Sequence, residues 1–116
     1  MLGVGPGDTK EKAHQLAHKL AHLRIFEDQK GKMNLSLLDI QGEALVIPQF
    51  TLFADTRRGN RPSFTDAGSP DIAQPLAEYF AECLREHQIA TEEGEFGAHM
   101  LVEIHNDGPV TISIEV

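Results

Sequence analysis

Apolar residues recur at helical spacing early in the chain, directly after a Gly-Pro-Gly break. The positions that fall on one helical face are Ala13, Leu16, Ala17, Leu20 and Leu23. Asp8 and Glu11, three residues apart, match the capping-box pattern at the start of a helix. The pattern therefore predicts a helix from about Thr9 to Leu23 or Arg24, which packs on the rest of the fold through its apolar face.

A second helical pattern follows the sequence Ser69-Pro70-Asp71. Serine is a favoured N-cap residue and proline is favoured at the first helical position, so the helix is expected to begin there. Its predicted buried face consists of Ile72, Leu76, Tyr79, Phe80, Cys83 and Leu84. Pro75 lacks an amide donor, so the regular part of this helix is expected to begin after the first turns.

Two segments between the predicted helices have the composition of strands. "MNLSLLDI" alternates apolar and polar residues, "EALVIPQFTLF" is an almost continuous apolar run, and Gln41-Gly42 lies between them. This order predicts a hairpin whose second strand is buried on both faces. Pro48 cannot donate a ladder hydrogen bond, so the second strand must bulge, bend or lie at an edge there. Backbone groups from Gln49 to Leu52 are therefore expected to be free.

The two ends of the chain also have strand patterns. Met1 to Gly5 is a short apolar segment, and "HMLVEIH" and "VTISIEV" alternate around an Asn-Asp-Gly-Pro corner. Residues 54–68 are polar and glycine-rich, which predicts a loop. With 116 residues, of which 41% are hydrophobic, the chain is expected to form one small globular domain over residues 1–116.

The charge distribution bears on possible partners. A formal net charge of -8 argues against general affinity for nucleic-acid backbones. However, Arg57, Arg58 and Arg61 form a local basic patch in the predicted loop. Two interpretations stay open at this point: the arginines are solvated loop charges, or they contact phosphates.

The cysteine content and the apolar runs bear on the compartment. The single cysteine, Cys83, cannot form an internal disulfide, which favours a reducing compartment. No apolar run approaches the roughly 20 residues of a membrane span, and the first residues lack the pattern of a signal peptide. We therefore expect a cytoplasmic protein with no membrane partner.

Histidines recur every four residues on the first predicted helix, at His14, His18 and His22. This spacing could bring imidazoles together around a metal ion. The histidines lie opposite the leucine face, and no acidic or cysteine ligand joins them at helical spacing, so we expect a solvated polar face and no metal. A metal site on this helix remains the alternative hypothesis.

The common motifs of hydrolases and nucleotide-binding proteins are absent, including G-x-S-x-G and the phosphate-binding loop. Thr51 could act as a nucleophile if His99 or His105 lay near it, although a threonine in a strand is usually structural. Alternatively, the amide groups of Phe50 and Thr51, freed by the irregularity at Pro48, could stabilise a developing oxyanion.

Three stretches together resemble the D-aminoacyl-tRNA deacylases: "LRIFEDQKGKMNLSLLDIQGEALVI", "PQFTLFADTRRGNRPSF" and "GEFGAHMLVEIHNDGPVTISIEV". The resemblance implies an α+β fold, a twisted antiparallel β-sheet with helices packed on one side. It also implies an RNA-binding proofreading hydrolase that acts as a homodimer without metal or cofactor. The implied reaction is hydrolysis of the ester bond of D-aminoacyl-tRNA, and of glycyl-tRNA, to release the free amino acid and tRNA.

The resemblance also implies roles for individual residues. Gln49, Phe50 and Thr51 match the family's strand motif, so they are expected to line the catalytic pocket and present backbone amides to the ester carbonyl. The Gly108-Pro109 bond is expected to be cis, and each subunit is expected to insert this corner into its partner's active site. The carbonyl groups of the corner would exclude an L-amino acid sterically, and the ribose hydroxyl of the substrate would assist the chemistry.

Further positions follow from the same motifs. Asn106 and Thr111 are expected to brace the corner by hydrogen bonds. The three arginines of the basic patch, Arg57, Arg58 and Arg61, become candidates for contact with acceptor-stem phosphates. Pro48 stands where serine is commonest in the family, and a sister branch that clears L-alanine from a threonine tRNA carries proline there. Phe50 matches the main branch, because the sister branch has alanine at that position.

Family members carry some tens of residues before the position that matches Leu2, and these residues form the first strands of the sheet. We therefore expect residues 1–116 to be a single deacylase domain that lacks those strands. Two alternatives stay open: a truncated, non-catalytic dimeric module that binds tRNA or is purely structural, and a deacylase of tRNA mischarged with L-alanine.

Overall fold

A computed structural model describes every residue from Met1 to Val116. In chain order the regular elements are helix α1 (Lys10–His22), strand β1 (Phe26–Glu27), strand β2 (Met33–Leu35), strand β3 (Glu43–Val46), a 3-10 helix (Phe50–Phe53), helix α2 (Pro70–Glu86) and strand β4 (Ala90–Glu93). β1 and β2 form an antiparallel pair, and β3 and β4 form a parallel pair. The α+β class is confirmed, with the strands in two short pairs.

Helix α1 begins one residue later than the capping-box pattern predicts. Thr9 is the N-cap, and its hydroxyl oxygen accepts a hydrogen bond from the amide of Lys12 at 3.3 Å. Asp8 lies before the cap, where its carboxylate accepts a hydrogen bond from the amide of Gly5 at 2.7 Å and pairs with Nζ of Lys12 at 3.0 Å. Asp8 therefore closes the Gly-Pro-Gly turn instead of capping the helix.

Helix α2 begins as predicted, with Ser69 as N-cap and Pro70 at the first helical position. The expectation that Pro75 would delay the regular helix is wrong, since α2 continues through it to Glu86. The carbonyl of Ser69 accepts hydrogen bonds from the amides of Ile72 and Ala73, at 3.0 and 2.8 Å, which secures the first turn. One missing donor at Pro75 does not outweigh the packing of the helix on the core.

The core lies between the two helices and the β3–β4 pair. Ala17 and Ala21 of α1 are fully buried, and their small side chains allow a close approach to α2. The buried cluster contains Ala17, Ala21, Val46, Phe80, Ala81, Cys83, Leu84 and Ile89. Leu16 and Leu20 pack against this cluster from its margin and stay partly exposed. Neither helix has the length and apolar character that a membrane span requires.

The predicted hairpin between "MNLSLLDI" and "EALVIPQFTLF" is wrong. β2 pairs with β1, with Phe26 opposite Leu35, while β3 pairs with β4 in parallel. β2 and β3 are separated by a turn, in which the carboxylate of Asp39 accepts hydrogen bonds from the amide and the hydroxyl of Ser36 at 2.8 and 2.7 Å. β3 is also exposed at alternate residues, so it is not buried on both faces.

The strand predicted through Pro48 ends there. Leu2 donates its amide to the carbonyl of Ile47, and Gln49 donates its amide to the carbonyl of Leu2, both at 2.8 Å, which makes a single parallel bridge. This bridge is the only strand-like pairing of the segment from Met1 to Gly5. After it the chain turns into the 3-10 helix, where a strand was expected.

The two strands predicted around the Asn-Asp-Gly-Pro corner do not form. Residues 99–116, here called the C-terminal arm, have no regular secondary structure, and their one main-chain hydrogen bond joins the amide of Asp107 to the carbonyl of His105. Leu101 is 91% exposed, Ile104 66% and Ile112 51%. Alternating residues form a strand only where a neighbouring strand supplies hydrogen bonds, and no main-chain hydrogen bond joins the arm to another part of this chain.

Candidate active site

The 3-10 helix, Phe50–Phe53, presents unused amide donors. Gln49 donates its amide to the carbonyl of Leu2. Further along, the amide of Leu52 donates to the carbonyl of Gln49 at 3.4 Å, and the amide of Ala54 donates to the carbonyl of Thr51 at 3.1 Å. The amides of Phe50 and Thr51 donate to no acceptor within the chain, and both residues are exposed. Two adjacent free N–H groups can stabilise negative charge on an oxygen.

The side chain of Thr51 has a neighbour that is not a base. Its hydroxyl oxygen accepts a hydrogen bond from the side-chain amide of Gln49. Neither His99 nor His105 makes a hydrogen bond to this hydroxyl. An amide group cannot take up the proton of a threonine hydroxyl, so the nucleophile hypothesis lacks the activating base that it requires.

Residues 48–53, called the turn from here on, contain these amides and pack on the N-terminal segment. A Cβ atom at Gly3 would lie 2.9 Å from Cε2 of Phe53, so glycine at this position lets the Phe53 ring pack directly on the backbone. At the other end of the turn, the Phe50 ring meets the Phe64 ring edge to face, with centroids 5.1 Å apart and planes at 74°. Phe64 was not singled out by the sequence patterns.

The predicted basic patch lies on a loop that closes at its base. Asp55 and Ser63 exchange two main-chain hydrogen bonds of 2.8 and 2.9 Å. The carboxylate of Asp55 also binds the Arg57 guanidinium through two contacts of 2.9 and 2.7 Å. This hydrogen bonding holds the pKa of Asp55 below its ordinary value and raises the pKa of Arg57. We call residues 55–63 the arginine loop.

The three arginines differ in their partners. Arg57 is paired with Asp55, whereas Arg58 and Arg61 make no ion pair. Together with Asp55 and Ser63, these arginines line a shallow cleft of about 490 Å³ that contains no apolar side chain. An anion in this cleft would find two unpaired guanidinium groups, which are suited to phosphate oxygens.

The Gly108-Pro109 corner has the geometry that the resemblance implies. Its peptide bond is cis, and Gly108 has a φ of 143°. The side-chain oxygen of Asn106 accepts a hydrogen bond from the amide of Val110 at 2.9 Å, and its nitrogen donates to the hydroxyl of Thr111 at 3.0 Å. These two bonds join the residues before Gly108-Pro109 to the residues after it, and so close the corner.

The structure does not bring all the predicted site residues together within one chain. Gln49, Phe50 and Thr51 share one turn with Pro48, and the arginine loop follows directly along the chain. The corner at Gly108 and Pro109 makes hydrogen bonds only within itself. No hydrogen bond or ring contact joins it to the turn of the same chain.

The histidines of α1 gain a neighbour that the sequence did not indicate. His87, the C-cap of α2, lies beside His18 and His22, with ring centroids 5.3 and 5.6 Å away, and those two rings are 4.2 Å apart. Partial burial, followed by the charges of the α1 histidines, lowers the pKa of His87 below its ordinary value. No group of three or more His, Cys, Asp or Glu side chains is arranged to hold a metal ion.

Comparison with protein families gives a match over residues 1–115 to the family described as D-Tyr-tRNA(Tyr) deacylase. A protein named D-aminoacyl-tRNA deacylase from Thermosipho melanesiensis is 55% identical over 116 residues, which cover 99% of this chain and 77% of that protein. One of the same name from Roseiflexus castenholzii is 60% identical over 115 residues, covering 99% of this chain and 73% of the relative.

Solved structures show the same fold. A protein described as a c-Myc DNA unwinding element binding protein matches with a TM-score of 0.89 and 39% identity, covering 99% of this chain and 78% of that chain. A probable eukaryotic D-amino acid tRNA deacylase matches with a TM-score of 0.65 at 17% identity, covering 84% and 72% respectively, and this likeness concerns the fold alone. On the family match and the identities with its members, the chain belongs to the D-Tyr-tRNA(Tyr) deacylase family.

Proposed function

We propose that the chain hydrolyses the ester bond of D-aminoacyl-tRNA, and of glycyl-tRNA, and releases the free amino acid and tRNA. The observation that carries this proposal is the family match over residues 1–115. It is supported by relatives named D-aminoacyl-tRNA deacylase at 55 and 60% identity. The reaction needs neither a metal nor a cofactor. The substrate and the unpaired, buried Cys83 both fit the cytoplasm.

The free amides of the 3-10 helix stabilise the charge that develops during hydrolysis. When water adds to the ester carbonyl, negative charge develops on the carbonyl oxygen, and the amides of Phe50 and Thr51 stabilise it. The bond between the carbonyl carbon and the ribose oxygen then breaks, and that oxygen takes up a proton. The neighbouring ribose hydroxyl of the substrate assists this proton transfer, which fits the absence of a histidine at the Thr51 hydroxyl.

Chiral selection comes from the corner of a second subunit. In the proposed homodimer, each subunit inserts Gly108 and Pro109 into its partner's site, where their carbonyl groups face the substrate's α-carbon. An L-amino acid would direct its side chain into this wall, whereas a D-amino acid presents only hydrogen there. Within one chain no hydrogen bond joins the corner to the turn, and in the proposed assembly a second chain brings the two together.

The exposed C-terminal arm supports the same assembly. Its apolar side chains Leu101, Ile104 and Ile112 are more than half exposed, which is unusual for alternating apolar residues of a small protein. Its main-chain donors and acceptors are also almost all unused. A two-fold partner that pairs with the arm would cover both the apolar side chains and the free backbone groups.

The arginine loop is the proposed contact with the acceptor stem. Arg58 and Arg61 have no carboxylate partner, so both can neutralise phosphates. Arg57 is held by Asp55 and acts mainly by ordering the loop. Because contacts with phosphates release counterions, the affinity for tRNA is expected to fall steeply with salt concentration, despite the net charge of -8.

The direct experiment compares release of the amino acid from D-tyrosyl-tRNA and L-tyrosyl-tRNA by the purified chain. We expect release from the D-substrate to be at least about tenfold faster. Equal rates on both substrates would contradict chiral selection. Binding of tRNA without release from any substrate would favour a non-catalytic module. Release from L-alanyl-tRNA(Thr) alone would favour the activity of the sister branch, which carries proline at the position of Pro48.

A further inference from the structure

Phe64 contacts the candidate active site through its ring. The Phe50 and Phe64 rings meet edge to face, with centroids 5.1 Å apart and planes at 74°. This geometry places the positive edge of one ring on the negative face of the other, which is a favourable arrangement for an aromatic pair. Phe50 remains 59% exposed, whereas Phe64 is half-buried.

The backbone of Phe64 is held on both sides. Directly before it, Ser63 exchanges two hydrogen bonds with Asp55, at 2.8 and 2.9 Å. Directly after it, the carbonyl of Phe64 accepts a hydrogen bond from the amide of Ala67 at 3.1 Å, and Gly68 donates to the carbonyl of Val4 at 2.7 Å. These bonds hold the backbone on both sides of Phe64.

Phe50 is the more exposed ring of the pair. It is the first residue of a short 3-10 helix, its amide has no acceptor in the chain, and more than half of its surface is exposed. Phe64 is the only aromatic ring that contacts it. Of the two rings, Phe64 is the more buried one, and its contact covers part of the exposed Phe50 ring.

We propose that Phe64 is a positioning residue for the deacylase site. Through its ring it holds Phe50, and so sets the direction of the adjacent amides of Phe50 and Thr51. Because Phe64 directly follows the last residue of the arginine loop, it also links that loop to the site. This inference rests on the proposed function, in which these amides stabilise the oxyanion.

The experiment compares Phe64→Tyr, Phe64→Leu and Phe64→Ala with the wild type on D-tyrosyl-tRNA. Tyrosine keeps the ring, leucine keeps an apolar side chain without a ring, and alanine removes both. We expect Phe64→Tyr to keep kcat within about twofold, while Phe64→Leu and Phe64→Ala lower kcat by about tenfold with KM nearly unchanged, because small displacements of catalytic groups slow the chemistry. Met33→Ala, at a residue 54% exposed and outside the site, is the control.

A second measurement does not depend on activity. In amide NMR spectra, the signals of Phe50 and Thr51 are expected to shift in Phe64→Leu and Phe64→Ala, and to stay near their wild-type positions in Phe64→Tyr and Met33→Ala. If the wild type hydrolyses no substrate, the proposed function fails while the amide shifts still test the positioning role.

Three results would overturn the inference. One is a kcat of Phe64→Leu equal to that of the wild type. Another is a rise in KM without a fall in kcat, which would assign Phe64 to substrate binding. The third is a set of amide signals that do not respond to loss of the ring.

Discussion

Thr51 is the residue at which two chemical interpretations of the site diverge, because its hydroxyl and its amide would do different chemistry. The hydroxyl accepts a hydrogen bond from Gln49 and has no base beside it. The amide has no partner in the chain and lies next to the equally free amide of Phe50. The environment of each group therefore favours the amide as the catalytic group, and the side chain as a local support.

This difference can be tested with two substitutions at one position. Thr51→Val removes the hydroxyl and keeps the amide, whereas Thr51→Pro removes the amide donor as well. We expect kcat on D-tyrosyl-tRNA to fall by less than about tenfold in Thr51→Val, and by about a hundredfold or more in Thr51→Pro, because loss of one oxyanion donor has that effect. Single-turnover rates at saturating enzyme give the comparison.

Thermal unfolding of both variants serves as the control for folding. A Thr51→Val variant as slow as Thr51→Pro would contradict the role of the amide and would return the hydroxyl to the mechanism.

At the scale of elements, the contact between α1 and α2 combines an apolar part and a titratable part. Ala17 and Ala21 are fully buried and let the helices approach closely. At the end of the same contact, His87 of α2 faces His18 and His22 of α1. Charging several of these imidazoles would place like charges within a few ångströms of one another.

This arrangement predicts a pH dependence of stability. The pKa of His87 is lowered in the folded state, by burial and then by His18, His22 and His14, while Glu86 acts in the opposite direction. The unfolded chain therefore binds more protons at pH values between the folded pKa and the ordinary value of 6.5. The contribution of His87 to the free energy of unfolding should be complete above pH 6.5. It should be lost as the pH falls from 6.5 through the lowered pKa of the folded state.

Urea unfolding between about pH 5 and pH 7.5 measures the effect. His87→Gln should reduce the slope of stability against pH in this range. The matched control is His99→Gln, since His99 is exposed and lies outside the cluster. An unchanged slope in His87→Gln would exclude His87 as the source of the pH dependence.

At the scale of the whole molecule, the features of the proposed site lie at two separate places of one chain. The turn at Thr51 belongs to the globular part, whereas the corner at Gly108 belongs to the exposed C-terminal arm. In the proposed homodimer, a second copy completes the site that needs both. This proposal makes activity a property of the dimer.

Complementation between two inactive variants tests this directly. Thr51→Pro removes an amide of the turn. Gly108→Ala disturbs the corner, because Gly108 has a φ of 143° and an added Cβ would lie 3.0 Å from Cγ2 of Val110. In a purified heterodimer of the two, one of the two sites combines an intact turn with an intact corner. We expect D-specific activity of about half the wild-type value per dimer.

Each homodimeric variant should lack this D-specific activity, and size-exclusion chromatography establishes that all three assemblies are dimers. A heterodimer that forms but stays inactive would mean that turn and corner act within one chain. A wild-type protein that is monomeric and active would contradict the assembly altogether.

Much of the helical structure was predictable, because helical signals are local. The leucine spacing predicted α1 to within about two residues, and Ser69-Pro70 located the start of α2. The capping detail at Asp8 and the effect of Pro75 were wrong, because neighbouring contacts decide both. At Asp8 the preceding turn takes up the carboxylate, and at Pro75 the packed helix tolerates one missing donor.

Strand pairing was far less predictable. "EALVI" has a strand composition, but its partner is β4, a segment of four residues that follows a whole helix and contains two glutamates. The alternation in the C-terminal arm is real, yet no strand forms without a neighbour. The partners of Phe50 and His18, Phe64 and His87, are also distant along the chain, so no local pattern could have indicated them.

The sequence by itself determined the two helices and the α+β class, and its motifs indicated the family and, through the family resemblance, a cis corner. These features depend on short-range propensities or on a fixed order of residues, and both can be read along the chain. Only the tertiary structure decided which strands pair, which amides remain free, how the arginines differ and which rings meet. Those features depend on distances between residues far apart in the chain, which are set when the core packs.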